Sequence, residues 1–349
     1  MHSTNQSTTL LEEASRLDMP LTTIDLPTVF ADLAPIPQQD GPHAVCRIDY
    51  PPDFTLAYDY MRALWKADER SRRALDLTTL CLELNPANYT VWHFRRLCLE
   101  ALNLRNDQTQ IGVDLALAAD LGGSNPKNYQ IWYHRRALLE KLDNPKILRD
   151  YCHQELSYIA SVIVKDGKNY HAWSHRQWIL RTLNDDTAWT DEVLYTEYLI
   201  DEDLRNNSAW NGRWFAVHRG QKELLSVETD GPAQADYAIK IARLDPYNES
   251  PWRFLIAVLN EQRPQLSHDQ FIELVESYLG RILEIQENVV EPSGKGPCPN
   301  LLSAQVDLLE WMSDGSSKTK ALDYLEELKT HDPIRKRYWA MRQQQIQAL

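Results

Sequence analysis

The sequence has few cysteines, and none of them is spaced for a disulfide framework or a metal site. The 349-residue chain contains five, an odd number, and no Cys-x-x-Cys pair occurs. Disulfide frameworks are typical of secreted proteins, whereas scattered thiols are typical of the reducing cytosol. The pattern therefore predicts a cytoplasmic protein whose thiols are reduced. They are Cys46, Cys81, Cys98, Cys152 and Cys298.

The sequence also lacks a long apolar run and an excess of basic residues. Its longest mainly apolar stretches, residues 159–164 and 254–259, are far shorter than the roughly 20 residues that cross a bilayer. Residues 1–15 show no basic segment followed by an apolar run, so they do not resemble a signal peptide. A formal net charge of −13 argues against a nucleic-acid-binding surface. We therefore expect a protein that acts in aqueous solution, without nucleic acid and without a membrane segment.

No motif of a self-contained catalytic site is present either. The sequence contains no G-x-S-x-G elbow, no P-loop, no G-x-G-x-x-G fingerprint and no H-E-x-x-H or Cys/His metal cluster. If the chain takes part in catalysis, we expect it to supply only part of the active site and to bind no metal ion through its own residues.

The dominant feature that is present is a segment repeated five times at a period of about 40 residues, which is typical of stacked structural repeats. Residues 85–96, 125–136 and 166–177 read NPANYTVWHFRR, NPKNYQIWYHRR and DGKNYHAWSHRQ, and weaker copies occupy residues 203–214 and 245–256. We call each copy a signature segment. In every one an Asn stands four residues before a Trp, and successive Trp are 40, 41, 37 and 42 residues apart. The signature Asn are Asn88, Asn128, Asn169, Asn206 and Asn248, and the signature Trp are Trp92, Trp132, Trp173, Trp210 and Trp252.

Each signature segment predicts the start of a helix that is paired with a preceding helix. Pro or Gly stands two residues before the Asn in four copies, which ends the first helix, and Asn is among the best N-caps for the second. Apolar residues follow a helical spacing, and no alternating strand pattern competes. We therefore predict an all-α superhelix of paired helices. The first helices are expected at residues 71–84, 110–121, 148–165, 191–203 and 233–244.

The two ends of the chain differ from the repeats. Residues 1–45 are rich in Ser and Thr and then in Pro, which predicts a flexible or extended arm. Residues 46–349 form the predicted helical-repeat domain, whose last helices depart from the repeat as a terminal cap does. Residues 289–299 are predicted to be a loop, and the sequence indicates no function for it.

Most of the signature residues have a structural interpretation. A Trp at helical register predicts core packing, and the Asn predict N-caps. An Arg follows each of the first four Trp by three residues, which predicts ion pairs with acidic neighbours or stacking on aromatic rings. The His near the helix starts lack the spacing of metal ligands. These Arg are Arg95, Arg135, Arg176 and Arg213, and the His are His93, His134, His171 and His175.

Tyr and Lys residues of the first three copies depart from this scaffold pattern. Tyr follows the Asn in three consecutive copies only, and Lys precedes it in the second and third. Packed helices are about 8–10 Å apart, so three repeats span about 20 Å, whereas an extended four-residue peptide spans about 13 Å. These side chains therefore predict one groove for an anionic or phosphate-bearing ligand, although Lys168 also fits an ordinary solvated lysine. They are Tyr89, Tyr129, Tyr170, Lys127 and Lys168.

The signature segments resemble the protein prenyltransferase alpha-subunit repeat, a helix pair with an N-x-x-x-W-x-x-R core. NYTVWHFRR, PKNYQIWYHRR and KNYHAWSHRQW are particularly similar to the alpha subunit shared by protein farnesyltransferase and geranylgeranyltransferase type I, and the resemblance covers about residues 47–345. It implies a right-handed α-α superhelix, a crescent of helical hairpins around a beta subunit that holds the catalytic zinc. It also implies transfer of a farnesyl or geranylgeranyl group from its diphosphate to the cysteine of C-terminal CaaX peptides of small GTPases, and leaves open whether magnesium is needed.

The resemblance also implies roles for individual residues. Lys127 matches the family's lysine that touches the isoprenoid diphosphate and would be the catalytic contribution of this chain. Tyr170 matches a tyrosine that reaches the same diphosphate, and Tyr129 lies beside it. Gln130 matches the glutamine that binds the peptide's C-terminal carboxylate, and Tyr89 an aromatic residue near the peptide's end. Neighbouring substrate-binding candidates are Asn128, Asn169 and His171.

Two alternatives remain open at this point. The chain also resembles the alpha subunit of Rab geranylgeranyltransferase, although that family usually carries extra domains after its repeats, for which we expect no room here. A non-catalytic helical-repeat scaffold that binds acidic or C-terminal peptides would share the fold. It would show no zinc-containing partner and no affinity for a diphosphate.

Overall fold

The computed structural model describes residues 21–123 and 125–348, and every regular element in these ranges is helical. A helical turn at Leu26–Val29 precedes fifteen longer helices, and no strand occurs in the same ranges. The predicted all-α architecture is therefore confirmed. The helices are α1 (Pro52–Ala67), α2 (Arg72–Leu84), α3 (Tyr89–Ala101), α4 (Gln108–Gly123), α5 (Tyr129–Leu139), α6 (Pro145–Lys165), α7 (Tyr170–Leu183), α8 (Asp186–Glu202), α9 (Asn207–Val217), α10 (Asp230–Leu244), α11 (Glu249–Gln262), α12 (His268–Ile285), α13 (Pro299–Met312), α14 (Gly315–His331) and α15 (Lys336–Ala348).

The helices are distributed over two compact units. The first contains the described chain up to Val162 together with Asn169–His175, and the second contains Ile163–Lys168 and the chain from Arg176 onward. The first unit therefore includes α1 to α5 and the start of α7. No helix in the described ranges combines the length and hydropathy needed to cross a membrane.

Several helices begin earlier than predicted, because their caps and prolines are not apolar and leave no periodic signal. Helix α6 begins at Pro145 rather than at residue 148, since Pro at the first position loses no hydrogen bond there. Helix α8 begins at Asp186 rather than at residue 191, and Asp185 caps it by accepting a bond from Ala188 N–H at 2.8 Å. The loop predicted at residues 289–299 begins later than expected. A π-helical turn at Gln286–Val290 and a 3₁₀ turn at Glu291–Ser293 occupy its first part.

Part of the predicted N-terminal arm packs against the first helices. Leu26 and Phe30 are fully buried, and the Phe30 ring stacks on Tyr60 with 5.4 Å between centroids. Arg73 donates to the Val29 carbonyl at 3.0 Å. The predicted domain boundary at residue 45 stays a prediction, and residues 1–20 lie outside the described residues.

The signature Asn are N-caps, as predicted. Each side-chain oxygen accepts a hydrogen bond from a backbone N–H of the first helical turn, one of the four donors that a helix leaves unpaired at its start. The bonds run from Val91 to Asn88 (3.2 Å), Gln130 to Asn128 (3.0 Å), Ala172 to Asn169 (3.0 Å), Ser208 to Asn206 (3.1 Å) and Ser250 to Asn248 (3.1 Å).

An Asn or Asp three residues before each cap fixes the turn between the paired helices. In the second signature segment, the Asn125 side chain accepts a bond from Lys127 N–H at 3.3 Å, and Asn128 N–H donates to the Asn125 carbonyl at 3.1 Å. Such side-chain bonds to the backbone two residues ahead stabilise turns. The same arrangement begins other signature segments at Asn85, Asp166 and Asp203.

The cap Asn also links its repeat to the previous one through a shared backbone carbonyl. The Pro86 carbonyl accepts bonds from Trp92 Nε1 at 2.8 Å and from Asn128 Nδ2, one repeat later, at 2.9 Å. The Pro126 carbonyl accepts from Trp132 Nε1 at 2.8 Å and Asn169 Nδ2 at 3.2 Å. In the second unit, the Leu204 carbonyl accepts from Trp210 Nε1 at 3.0 Å and Asn248 Nδ2 at 2.6 Å. We call this arrangement the shared-carbonyl link. It explains why Asn rather than Ser or Asp occupies these caps, since a cap needs only an acceptor and the link also needs a donor.

The packing and ion-pair predictions are also confirmed. All five signature Trp are buried. The signature Arg form buried ion pairs: Arg95 Nε lies 2.7 Å from Asp114, Arg135 Nε lies 3.0 Å from Glu155, and Arg176 Nε lies 2.8 Å from Glu192. Three of the four signature Arg also stack their guanidinium group on a Tyr ring. The distances to the ring centroid are 3.8 Å for Arg135 over Tyr158, 3.9 Å for Arg176 over Tyr195 and 3.7 Å for Arg213 over Tyr237.

The shared-carbonyl link predicts that Asn248→Asp destabilises the fold. The new carboxylate still caps α11, but it places an acceptor against the Leu204 carbonyl. We expect the free energy of unfolding, measured by urea denaturation at pH 7, to fall by about 1–3 kcal/mol. Asn144→Asp is the matched control, because Asn144 caps α6 at the exposed surface. Its change should stay within about 0.5 kcal/mol. Equal losses in the two variants would contradict a role for Asn248 Nδ2.

Candidate functional site

Three tyrosines begin consecutive second helices of the repeats. Tyr89, Tyr129 and Tyr170 are the first residues of α3, α5 and α7, and their side chains are 73%, 61% and 75% exposed. Such exposure excludes core packing as the reason for these aromatic residues. The links from Asn128 to Pro86 and from Asn169 to Pro126 join the three helix starts in sequence order. The tyrosines therefore form a row at one end of the second helices, as the groove prediction requires.

His171 brings two of these tyrosines together. Its ring centroid lies 5.8 Å from that of Tyr129 and 5.6 Å from that of Tyr170, with edge-to-face angles of 74° and 78°. Edge-to-face contacts of this length are favourable for aromatic rings. His171 is half-buried, so its ring holds the two exposed phenols in place without covering them. Three of the predicted substrate-binding residues thus lie in direct contact.

Lys127 and Gln130 flank the cap of α5. Lys127 is exposed on the turn that Asn125 fixes, and Gln130 is half-buried in the first helical turn, where its N–H donates to Asn128. Both side chains therefore start from backbone positions that hydrogen bonds define. Lys168, the other lysine of the predicted groove, belongs to the second unit.

Asn128 and Asn169 lie beneath the exposed residues. Both are buried, and each uses its side-chain oxygen for the cap and its nitrogen for the shared-carbonyl link. Their amides are thus engaged within the protein.

The electrostatics of this end of the repeats suit an anion. Each helix N-terminus carries unpaired N–H groups and the positive end of the helix dipole. The starts of α3, α5 and α7 add to the Lys127 charge, while phenol groups supply hydrogen-bond donors. Phosphate groups bind such combinations readily.

A buried ionic chain supports the second helices from within. Asp114 on α4 binds Arg95 of α3 and also accepts a bond from His134 Nε2 of α5 at 3.0 Å. Glu155 on α6 likewise binds Arg135 and accepts a bond from His175 Nε2 at 2.9 Å. The acids of α4 and α6 therefore each join two successive second helices. The sequence predicted the Arg partners only as acidic neighbours and did not predict the part played by His. The sequence does carry a signal for this role, because a His stands two residues after Trp132 and two residues after Trp173.

The protonation states in this chain follow from its hydrogen bonds. Arg96 Nη1 lies 3.3 Å from His134 Nδ1, and because a guanidinium can only donate, Nδ1 accepts and Nε2 carries the proton. Burial lowers the pKa of His134 to about 4, against the opposing effect of Asp114. Burial alone would raise the pKa of Asp114, but the Arg95 charge and the His134 bond outweigh it and hold that pKa below its usual range. His134 is therefore neutral and Asp114 is ionised.

Metal binding by the described residues was tested through their positions. Within residues 21–123 and 125–348, no three His, Cys, Asp or Glu side chains lie where they could hold one metal ion. These residues do not fit a zinc ion.

Four segments of the chain match the model of a known protein family. The model of the protein prenyltransferase alpha subunit repeat matches residues 71–102, 114–142, 152–183 and 189–220. Each match contains one signature Trp and all or the later part of the first helix before it. The fold and the signature segments thus define a protein of this repeat class.

Relatives over nearly the whole chain give the particular family. Protein farnesyltransferase/geranylgeranyltransferase type-1 subunit alpha of Arabidopsis thaliana is 37% identical, covering 91% of this chain and 94% of that one. The proteins of the same name from Dictyostelium discoideum (34%; 89% and 90% covered) and Solanum lycopersicum (38%; 91% and 89%) are similar. The chain belongs to the family of protein farnesyltransferase/geranylgeranyltransferase type-1 alpha subunits.

A solved structure shares the fold. A chain of the Candida albicans protein geranylgeranyltransferase-I complexed with GGPP superposes with a TM-score of 0.70 at 24% identity, covering 90% of this chain and 98% of that one. At this identity the likeness shows the fold alone.

The neutral state of His134 predicts a specific acid sensitivity. Its folded pKa of about 4 lies below its ordinary value of 6.5, so the unfolded state binds more protons as the pH falls below 6.5. The stability contributed is present above pH 6.5 and is lost toward pH 4, by about 2 kcal/mol between pH 6.5 and 5. We expect His134→Gln, which keeps a donor toward Asp114, to show a smaller loss of unfolding free energy between pH 7 and pH 5.

His153→Gln is the control for this measurement, because His153 is exposed on α6 in the same unit. Its pH dependence should match that of the wild type. If His134→Gln also followed the wild-type curve, a neutral buried His134 would be ruled out as the source of the acid sensitivity.

Proposed function

We propose that this chain is the alpha subunit of a heterodimeric protein prenyltransferase that acts only with a beta subunit. The reaction transfers a farnesyl group, or a geranylgeranyl group with the other beta subunit, from its diphosphate to the cysteine thiolate of C-terminal CaaX peptides of small GTPases. The observation that carries the proposal is the cluster of Tyr129, His171 and Tyr170 at helix starts beside Lys127. The full-length relatives named as type-1 alpha subunits support it.

Lys127 and Tyr170 are assigned to the diphosphate. As the thiolate sulfur bonds to C1 of the prenyl group, the C1–O bond breaks and the diphosphate leaves with the electron pair. Negative charge therefore grows on the diphosphate oxygens in the transition state. A fixed ammonium and phenol donors aimed at those oxygens lower the barrier, because they do not have to reorganise during the reaction. Tyr129, in contact with His171, is assigned to the same diphosphate.

Gln130 and Tyr89 are assigned to the peptide. Gln130 lies in the first turn of α5, and its amide nitrogen can donate to the peptide's C-terminal carboxylate. The exposed Tyr89 ring supplies an apolar face for the last residues of the peptide. Asn128 and Asn169 are proposed as positioning residues, because their amides already make the cap and the link. His171 positions the two phenols between which it lies.

Zinc and the beta subunit complete the proposal. The described residues form no zinc site. We assign zinc to the beta subunit, where it would activate the peptide's thiol. Magnesium enters only as a candidate counter-ion of the diphosphate, so transfer should be compared with and without it. We also propose a cytoplasmic location. Four cysteines are buried, and burial raises the pKa of Cys98 to about 11, which keeps that thiol protonated.

The test of this function is prenyl transfer to a CaaX peptide from labelled farnesyl diphosphate and, in parallel, geranylgeranyl diphosphate. It should be run on the chain alone and on its complex with each beta subunit. Transfer that requires a zinc-containing complex supports the proposal, and the preferred lipid identifies the beta subunit. A chain that binds peptides alone and gives no transfer in any complex would instead be a scaffold.

Lys127→Ala should slow the chemical step. Removal of one preorganised charge-stabilising group costs about 2.7–4 kcal/mol, or roughly 10²–10³-fold in rate. We expect that loss in the single-turnover rate of the complex, with the affinity for the beta subunit retained.

Lys168→Ala is the matched control, at the equivalent position one repeat later. It should slow single turnover far less than Lys127→Ala. An unchanged single-turnover rate in Lys127→Ala would exclude the assigned role.

Gln130→Ala should weaken recognition of the peptide's terminal carboxylate. A hydrogen bond to a charged group contributes about 1.5–3 kcal/mol, so KM for the peptide should rise by roughly tenfold or more. KM for the isoprenoid diphosphate should stay the same. A peptide ending in a carboxamide should bind the wild type and the variant equally. A variant that lost affinity for both peptides to the same extent would show that Gln130 does not read the carboxylate.

A further inference from the structure

A second concave feature lies further along the same helices. A cavity of about 280 Å³ opens between α3, α4 and α5. Aliphatic side chains line much of it together with the buried Gln110 and Asp114, whereas the other charged side chains are nearer the surface. The aliphatic residues include Leu97, Leu104, Ile111 and Leu138.

Arg96 on α3 is the half-buried cation of this cavity. Its guanidinium carbon lies 5.0 Å from the Tyr133 ring centroid, and Nη1 lies 3.3 Å from His134 Nδ1. No carboxylate within the described ranges forms an ion pair with it. Burial lowers the pKa of Arg96, which reflects the cost of keeping this charge away from water. An incoming carboxylate would offset that cost.

The other charged side chains that line the cavity leave its net charge positive. Glu140 is paired with Arg136 at 2.7 Å. Arg105 donates to the Lys141 carbonyl at 2.9 Å and lies 3.5 Å from Asp143. Asp114, which also lines the cavity, is paired with Arg95 at 2.7 Å. The Lys141 ammonium therefore adds to the Arg96 charge, and Glu100 is the remaining opposing carboxylate. The cavity is therefore locally cationic in a chain whose net charge is −13.

The cavity continues the face that carries the candidate site. His93 and Tyr133, which line it, follow Tyr89 and Tyr129 by four residues, one helical turn. Arg96 follows Tyr89 by seven residues, about 10 Å along α3 at 1.5 Å per residue. Positions four and seven apart share a helix face. A beta subunit that closes the substrate site over Tyr89 and Tyr129 thus extends over this cavity.

We propose that the cavity receives a carboxylate-bearing side chain, Asp or Glu, of the beta subunit, whose acid pairs with Arg96. The inference rests on the proposed function. The volume of about 280 Å³ has room for one or two side chains. Interface residues that dominate affinity fill such desolvated pockets on the partner.

The test is the affinity of the purified chain for the beta subunit. Arg96→Met removes the charge but keeps a similar stem, and Ala137→Phe fills the cavity from α5 without changing Arg96. Loss of a desolvated interfacial charge pair costs at least tenfold in affinity. We expect both variants to dissociate from the beta subunit at least tenfold more readily, with an unchanged helical circular dichroism spectrum for the chain alone. Arg96→Met also removes the bond to His134 Nδ1, whereas Ala137→Phe keeps it, so a loss of affinity in both variants is not explained by that bond. A photo-crosslinking residue at Leu97 should join to a beta-subunit segment that contains Asp or Glu.

Arg243→Met is the control, because Arg243 forms an exposed ion pair with Glu284 on α12. It should bind like the wild type. At saturating beta subunit, Arg96→Met should turn over like the wild type. Wild-type affinity of Arg96→Met and Ala137→Phe, with transfer intact, would overturn this inference alone. Absence of transfer by the wild-type complex would instead overturn the proposed function.

Discussion

A backbone carbonyl shared by two side-chain donors is the interaction on which the repeats depend. The Pro86 and Pro126 carbonyls each accept from the Trp of their own repeat and from the Asn of the next. Loss of either donor removes one of the two bonds to the carbonyl, and a typical intramolecular bond contributes about 0.5–1.5 kcal/mol. Because the same Asn caps a helix, one residue sets both where the helix starts and how it registers against its neighbour. The exposed Tyr129 and Tyr170, which follow Asn128 and Asn169, are placed by that register.

Buried ion pairs and hydrogen bonds from the first helices also hold these second helices. Asp114 binds Arg95 and His134, which lie on successive second helices, and Glu155 binds Arg135 and His175 in the same way. A buried pair of this kind is weak evidence for stability, since desolvation offsets much of the attraction. Its directional bonds nevertheless select one arrangement of the helices. Such an arrangement suits a site that must hold a charged leaving group in a fixed geometry.

The periodic parts of this architecture were predictable from the sequence, and the parts that depend on distant partners were not. The helix starts, the Trp core, the Asn caps and the Arg ion pairs follow from local chemistry repeated at a fixed offset. The acids are periodic as well, because Asp114, Glu155 and Glu192 each lie 18 residues before a signature Trp. This offset alone does not show that Asp114 and Glu155 each bind two successive second helices. The second function of Asn128 became visible only with the Pro86 carbonyl of the previous repeat in place.

The row of Tyr89, Tyr129 and Tyr170 was predicted from their loss in later repeats, but the His171 contact that orders two of them was not. The cavity beside Arg96 has no sequence signal, since it arises from the space between three helices.

The measurement that tests the central claim most directly is a double-mutant cycle between Lys127 and Tyr170 on the single-turnover rate of the complex. The two residues lie in successive signature segments, and the account assigns both to one diphosphate. If both stabilise the same departing group, the losses from Lys127→Ala and Tyr170→Phe are not additive, and the coupling should be about 0.5–3 kcal/mol. Lys127→Ala combined with Tyr198→Phe, an exposed tyrosine of α8, should give additive effects. Additivity in both cycles would contradict a shared diphosphate site at the starts of α5 and α7.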